Sequence, residues 1–545
     1  MVDQDFTKKT KQLIDNLKGI CSDYGLGNSG DEFKIITQVF LYKFMNDKFG
    51  YEVKHLDKRL KNSDNWEEEI KRYSKDEYEL LLKRMSADSA RLKPDHFIST
   101  LFNKMNVEQF SKLFSDTLRD IAKLNSDVFS VKTEEGNKIQ LFYGVDGYLG
   151  NFSEKQKDNF SKAIINQLVD VNFEDIFEQK FDFFSTIFEY LIKDYNKDGG
   201  GVYAEYYTPH AIAKIIADIL VDKKVSNVTV YDPSAGSGTL LMNVAHAIGE
   251  DKCTIYSQDL SDKSSHLLRL NLILNNLVHS IHNIIQGNTI QDPYHRQGRD
   301  LMKFDYIVSN PPFKLDFSGW REDIDTKENS ERFFAGIPKE PKKKKTSMAI
   351  YLLFIQHIIY SLSLKGKAAI VVPTIFLTAQ TGIEKKIKQK LIDKKILKGA
   401  ISMPSNIFAT TGTNVSIIFI DKENKNDKVV LMDASKLGKK VKVDNKNQKT
   451  VLSSEEEQQI IDVFNKKQEI EDLSVVVGYD EIIKRNNSLS AGQHFEIRIE
   501  YVDITPKEFE KKMDDYKNNL DELFAESKDL EDEIQKQLNN VNYDE

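Results

Sequence analysis

The sequence predicts an α/β chain: a doubly wound, mainly parallel sheet preceded by an all-α N-terminal segment and followed by a C-terminal helical tail. Three observations predict it. From Val228 onward, short apolar runs of β type alternate with helical periodicities, the rhythm of βαβ units laid into a parallel sheet. Before that point apolar residues recur three and four apart, as on a helix packed along one face. After Thr505-Pro506 the spacings of four and three alternate, which makes a heptad seam. At 545 residues the chain is too long for one ordinary core. Three segments are expected, over 1–170, 171–475 and 476–545.

Taken in order, the first segment shows its helical stripe in Phe33, Ile36, Phe40 and Phe44, after a turn punctuated by Gly25, Gly27 and Gly30. Further helices are expected over Tyr78–Met85 and Val107–Leu124. The second begins with a helix over Phe173–Tyr195 and a glycine hinge, Asp198 to Gly201. Thr208 then reads as an N-cap, with Pro209 at the first helical position and Ile212, Ile215, Ile216 and Ile219 forming the apolar face. Strands follow at Val228–Tyr231, Thr254–Ser257, Ile284–Gln286, Asp305–Val308 and Ala368–Val372, with helices over Leu240–Ile248, His266–Asn276 and 348–362. Leu397–Ser402 and Val415–Ile420 would close the sheet as an antiparallel pair. Residues 422–450, rich in Lys and Asn, read as a surface excursion. The tail seam runs through Tyr516, Leu520, Leu523, Ser527, Leu530, Ile534, Gln537 and Val541.

Composition bounds what the chain does. Forty per cent apolar and 30% charged residues describe a globular protein. A net charge of −8 argues against gripping nucleic acid by bulk positive field, so any DNA contact needs local basic patches or a partner. Cys21 and Cys253 match no metal spacing and read as free thiols in a reducing, cytoplasmic compartment. The N-terminus carries no apolar signal region. Thr346–Leu364 lacks Asp, Glu, Lys and Arg, but its glutamine, histidine and hydroxyls suit a helix buried against a sheet better than a membrane span.

The chemistry concentrates where strands end. Asp232-Pro233-Ser234-Ala235-Gly236-Ser237-Gly238-Thr239 joins a strand to a helix, and its glycines let backbone approach a ligand at the helix N-terminus. No Lys follows, which excludes a Walker A loop. The next strand ends at Asp259, at the spacing of an acid that binds ribose hydroxyls. The third ends in Gly287-Asn288-Thr289, an amide placed to read an adenine amine. The fourth ends in Asn310-Pro311-Pro312-Phe313. The prolines stiffen that loop. Asn310 Oδ1 and the Pro311 carbonyl are acceptors for an exocyclic amine, and Phe313 is a face for its ring. Two acceptors on a conjugated amine favour its pyramidal, nucleophilic form. A nucleoside-bearing cofactor beside such a loop makes a methyl-transfer site.

In order and spacing, these motifs resemble the S-adenosylmethionine-dependent amino-methyltransferases, and more closely the modification (M) subunits of type I restriction–modification systems. The resemblance covers most of the chain. It implies a Rossmann-like methyltransferase domain and site-specific methylation of adenine N6 in double-stranded DNA. Tyr206-Tyr207-Thr208-Pro209, with Glu205 before it, corresponds to the motif that touches the cofactor's methionine end. Asp232, Ala235, Gly236, Ser237, Gly238 and Thr239 correspond to the cofactor loop, Asp259 to the ribose ligand and Asn288 to a position often occupied by Asp. Asn310, Pro311, Pro312 and Phe313 correspond to the catalytic motif. Gly336-Ile337-Pro338, Phe354 to His357, Ile401 to Pro404 and Ser488 to Gly492 also look like family stretches. The resemblance further implies a separate specificity (S) subunit, with two M per S, a restriction (R) subunit as a possible third component, no membrane and no metal. From pattern alone the tail helix suits packing on its own chain as well as on a partner; with a separate S subunit implied, it is read as a docking element.

Other readings stand beside these. His210 reads as a helix-start residue and His357 as a helix-packing residue rather than as acid or base. Lys342 to Lys345 is either a phosphate contact or, more commonly for such a run, a solvated loop. Trp320 is a candidate for the DNA cleft, and Trp66 has no assigned role. The alternatives for the whole chain are a protein glutamine-amide methyltransferase and a non-catalytic scaffold.

Overall fold

The computed structural model describes residues 4–27, 29–63, 65–174, 177, 190, 208–408, 414–424, 427–442, 448–495 and 505–539. Most of the helix expected over 173–195, the glycine hinge, Glu205, Tyr206, Tyr207 and Val541 lie outside the described residues. Residues 1–494 form one compact unit and 495–545 a second.

The larger unit is built on an eleven-stranded sheet. Its strands are β1 (Val131–Thr133), β2 (Lys138–Ile139), β3 (Val228–Asp232), β4 (Cys253–Asp259), β5 (Ile284–Gln286), β6 (Phe304–Ser309), β7 (Leu362–Pro373), β8 (Leu397–Ser402), β9 (Val415–Asp421), β10 (Lys428–Asp433) and β11 (Ser474–Gly478). They lie in the order β11-β10-β8-β9-β7-β6-β3-β4-β5-β1-β2. From β5 to β7 every pairing is parallel, and β9 enters antiparallel between β7 and β8. The order reverses direction between β3 and β6, so the crevice for a ligand opens at their C-terminal ends.

The expected antiparallel pair of β8 and β9 is present, with Ile401 opposite Ile417. Four strands of the sheet, β1, β2, β10 and β11, were not expected. The lysine- and asparagine-rich excursion contains β10, whose Val429, Val430, Leu431 and Met432 are buried, and which pairs with β8 and β11 inside the sheet. Among the described residues of the N-terminal segment the regular elements are helical except for β1 and β2, a short ribbon that extends the sheet beyond β5.

Helices α1 (Gln4–Asp23), α2 (Gly30–Leu56), α3 (Phe110–Leu124) and α4 (Glu154–Val169) make the N-terminal body. In α2, started by Ser29 accepting the Glu32 N–H (3.1 Å), the stripe Phe33, Ile36, Phe40 and Phe44 is buried. Trp66 stacks into this core between Phe49 and Phe97. Buried Arg269 donates to the carbonyls of Phe129 (3.4 Å) and Ile139 (3.0 Å), tying the N-terminal body to the sheet region. The sheet helices used below are α5 (His210–Leu220), α6 (Thr239–Ile248), α7 (Asp262–Leu274) and α8 (Tyr351–Ser361). The uncharged stretch forms α8, nearly all buried, and then enters β7; no described helix is long and apolar enough to cross a membrane. Both cysteines are free and buried.

The second unit contains α9 (Pro506–Asn539). Phe509 and Met513 continue the four-and-three spacing of the expected seam toward the helix N-terminus, and both are exposed. Tyr516, Leu520, Leu523, Leu530 and Ile534 along it are all exposed.

Candidate functional site

The loops after β3, β4, β5 and β6 meet at the C-terminal edge of the sheet, and hydrogen bonds tie each to a neighbour. Asp232 ends β3 and is buried; its Oδ1 accepts the Ser234 N–H (2.9 Å). Burial, with the Asp259 charge adding to it, pushes the Asp232 carboxyl up to about 8 against the pull of bonds from Ser234 and Ser309. Ser234 Oγ meets Ser309 Oγ at 2.7 Å, linking the glycine loop to β6. Gly236 (φ 54°) and Gly238 (φ 82°) both adopt the left-handed conformation that favours glycine. A Cβ on Gly238 would lie 2.2 Å from Leu268 Cδ1, so the close approach of this loop to α7 also requires glycine.

Asp259 ends β4. Its Oδ2 accepts the Gly236 N–H (2.9 Å) and its Oδ1 the Ser261 N–H (2.9 Å). Burial raises its carboxyl above the ordinary range, and these N–H donors partly offset that. A carboxylate offers about four acceptor sites, so some capacity remains for hydroxyl groups.

The loop after β5 differs from expectation in one respect. Asn288 Oδ1 accepts the N–H groups of Ile290 (3.1 Å) and Gln291 (3.2 Å), so its amide oxygen caps its own turn. The Asn288 N–H points instead at a carboxylate from the β1–β2 turn, Glu134 Oε2, at 2.9 Å. Thr289 Oγ1 donates to Pro233 O (2.7 Å), tying this loop to the glycine loop.

Asn310 follows β6, with Pro311 buried and Pro312 exposed. Asn310 Nδ2 donates to Thr208 Oγ1 (3.3 Å). Thr208 is therefore not the expected side-chain cap: α5 starts after Pro209 without a side-chain cap bond, and the hydroxyl is turned to the asparagine. Phe313 is half-buried and meets Tyr351 edge to face at 6.2 Å. His210 is the first residue of α5, as expected.

A buried polar cluster behind these loops was missed by sequence reasoning. Arg332 donates through Nη2 to Thr289 O (2.7 Å), through Nη1 to Ile290 O (2.8 Å) and through Nε to His357 Nδ1 (2.9 Å). His357 Nε2 then carries the proton and faces the Tyr231 hydroxyl at 3.2 Å. Burial, then the Arg332 charge, holds His357 well below the ordinary range, so it is neutral and structural. Gln356 holds the segment between β6 and α8, which also carries Arg332, accepting the Ala335 N–H (2.7 Å) and donating to Gly336 O (3.0 Å). Trp320 packs on Phe317 at 5.3 Å beside a small core between this segment and α8. Lys342 to Lys345 are exposed, and Lys345 pairs with Glu340 at 2.6 Å.

Residues 179–501, more than half of the chain, match the family model for N-6 DNA methylases. Among curated relatives, a type I restriction enzyme MpnII methylase subunit from Mycoplasma pneumoniae is 26% identical over 469 residues, covering 83% of each chain. The MjaIX methylase subunit from Methanocaldococcus jannaschii is 27% identical over 72% of this chain and 69% of that one. Among solved structures, a type I restriction–modification methyltransferase subunit from Streptococcus thermophilus shares the fold with a TM-score of 0.71 at 20% identity. The match covers 90% of this chain and 99% of that one. With the family pattern running through the sheet and all four loops, the chain belongs to the N-6 DNA methylase family.

Proposed function

We propose that this DNA methyltransferase is the modification subunit of a type I restriction–modification complex, moving a methyl group from S-adenosylmethionine to N6 of an adenine in double-stranded DNA. The observation that carries the reading is the junction of two loops at the switch point. The rigid Asn310-Pro311-Pro312-Phe313 loop on β6 adjoins the glycine loop on β3, with the Asp259 carboxylate one strand further on. The relatives named above, all methylase or methyltransferase subunits of type I systems, support the choice of complex.

The residues present fit the cofactor. Gly236 and Gly238, both at positive φ, give the loop after β3 its tight turn, and Asp259 keeps acceptor capacity for ribose hydroxyls. Asp232, Ala235, Gly236, Ser237 and Thr239 complete that cradle, while Thr208 and Pro209, with Glu205, Tyr206 and Tyr207, serve the methionine end. When bound, the cofactor supplies an electrophilic methyl group. The chain's own part is positioning. The target adenine must leave the stack, because its amine is paired inside the duplex. With Nδ2 committed to Thr208, Asn310 has Oδ1 left as its acceptor, and Oδ1 and Pro311 O grip the amine hydrogens. Phe313 stacks on the ring. Removing bulk water strengthens both contacts, and catalysis is orientation plus electrostatics.

Sequence recognition is assigned to a separate S subunit, docked through α9, with two M per S, and the R subunit joins that assembly in the cytoplasm. The test is tritium transfer from S-adenosylmethionine to DNA by the chain co-purified with its S subunit. Asn310→Ala should lose about a hundred-fold or more in turnover while keeping cofactor affinity. Label entering protein glutamine instead of DNA would establish the amide-methyltransferase reading, and cofactor binding without turnover the scaffold reading.

A further inference from the structure

We propose that Glu134, on the turn between β1 and β2, recognises the exocyclic amine of the cofactor's adenine, so that the N-terminal segment completes the cofactor site. This rests on the reading of the site as one for S-adenosylmethionine. β1 adds parallel to β5, with Lys132 opposite Ile285 and Thr133 opposite Gln286, so the following turn projects past the same sheet edge as the four loops. The Glu134 N–H donates to Gln286 O (2.9 Å), which anchors the turn on the last residue of β5. A nucleoside whose ribose sits on Asp259 carries its base toward this next strand end.

Two observations single out the carboxylate. It accepts the Asn288 N–H at 2.9 Å. It also lies so close to Gly287 that a Cβ there would stand 2.0 Å from Oε2 and 2.7 Å from Cδ; glycine at 287 makes the room. The acceptor that the loop would otherwise offer, Asn288 Oδ1, already receives two N–H donors. The edge of adenine presents a donor amine at position 6 beside an acceptor nitrogen at position 1. A carboxylate beside a backbone N–H is its complement. Here those two complementary groups bond to each other. Adenine binding exchanges that one bond for two: the carboxylate to the amine and the Asn288 N–H to the ring nitrogen. Hypoxanthine, with an oxygen at position 6 and a proton at position 1, would set acceptor against acceptor and donor against donor.

The test is calorimetric binding of S-adenosylhomocysteine and its hypoxanthine counterpart, S-inosylhomocysteine, to the full chain and its Glu134 variants. Wild type should prefer the adenine ligand. Glu134→Ala should weaken it about ten-fold or more, the usual worth of a hydrogen bond to a charged group, while barely moving the inosyl ligand. Glu134→Gln, whose amide can accept from an amine or donate to an oxygen, should keep part of the adenine affinity and gain affinity for the inosyl ligand. Equal weakening of both ligands, or none, overturns the proposal and leaves Glu134 as a strut between β1 and β5. A wild-type chain that binds neither ligand overturns the cofactor reading itself and the proposal with it.

Discussion

Alanine at Gly238 tests how tightly the cofactor loop is built. The backbone there has φ 82°, where an L-residue costs about 1–2 kcal/mol. The added Cβ would lie 2.2 Å from Leu268 Cδ1, whereas carbon atoms rest about 3.5–4 Å apart, so one of them must move by more than an ångström. Leu268 is 1% exposed and has no solvent to retreat into, and overpacking of that kind costs about 1–3 kcal/mol. Losing glycine's freedom in the unfolded chain returns about 0.4–1 kcal/mol. The net expectation is a loss of about 1–4.5 kcal/mol, read as a lower urea midpoint with weaker binding of S-adenosylhomocysteine.

A double-mutant cycle separates the two contributions. Leu268→Ala alone should cost about 2–5 kcal/mol through the cavity it leaves. Combined with Gly238→Ala it should cost less than the sum by about 1–3 kcal/mol, because the steric part has gone and only the backbone part remains. Strict additivity, or a Gly238→Ala protein within about 0.5 kcal/mol of wild type, would refute the account of why glycine stands there.

Three further outcomes follow from the same geometry. Asp232 is raised from its unfolded value near 3.8 to about 8, so the folded chain holds a proton that the unfolded chain releases between those values. Stability from this group is full below the unfolded pKa and is lost as pH rises through 8, so wild type should weaken relative to Asp232→Asn across that window; parallel urea midpoints from pH 5 to 8 would contradict it. Arg332→Met should cost about 3–5 kcal/mol, since two carbonyls and His357 Nδ1 lose their buried donor, and Arg332→Lys should recover only part because one ammonium cannot span all three; thermal melting that leaves both like wild type would contradict this. Deleting the residues after Pro506 should leave cofactor affinity unchanged and weaken co-purification with the S subunit, and unchanged co-purification counts against docking through α9.

What was legible in the sequence was what local pattern carries. Ile284–Gln286 and Leu397–Ser402 form strands with the expected bounds, because an apolar run bounded by turn residues has few other uses. The four strand-end loops were legible for the same reason. β10 was hidden: Val429 to Met432 is a buried strand core inside a stretch whose average composition is that of a surface loop. β1 and β2, three and two residues long, are too short to show any period. Thr208-Pro209 carries a strong helix-start pattern, yet the hydroxyl bonds to Asn310, 102 residues away, and no local rule anticipates that partner. Arg332 and Glu134 escaped notice on the same ground, since their partners are distant in the chain.

Those distant bonds explain how four separate loops behave as one site. Thr208 holds Asn310, Ser309 holds Ser234, Asp259 holds the Gly236 N–H, Thr289 holds the Pro233 carbonyl, and Arg332 holds the Thr289 carbonyl from behind. Each alone is a bond of about 1 kcal/mol net, too little to fix a loop. Together they join the loops through shared members, so displacing any one requires stretching its neighbours. Such a network is more than the sum of its single deletions. Positioning chemistry needs this property, because a misplacement of an ångström at the reacting atoms is costly and no one strand end controls the relation of amine to methyl donor. It also explains why the Asn310 amide nitrogen is committed to Thr208: the rigidity of the clamp is supplied by its surroundings as much as by its two prolines.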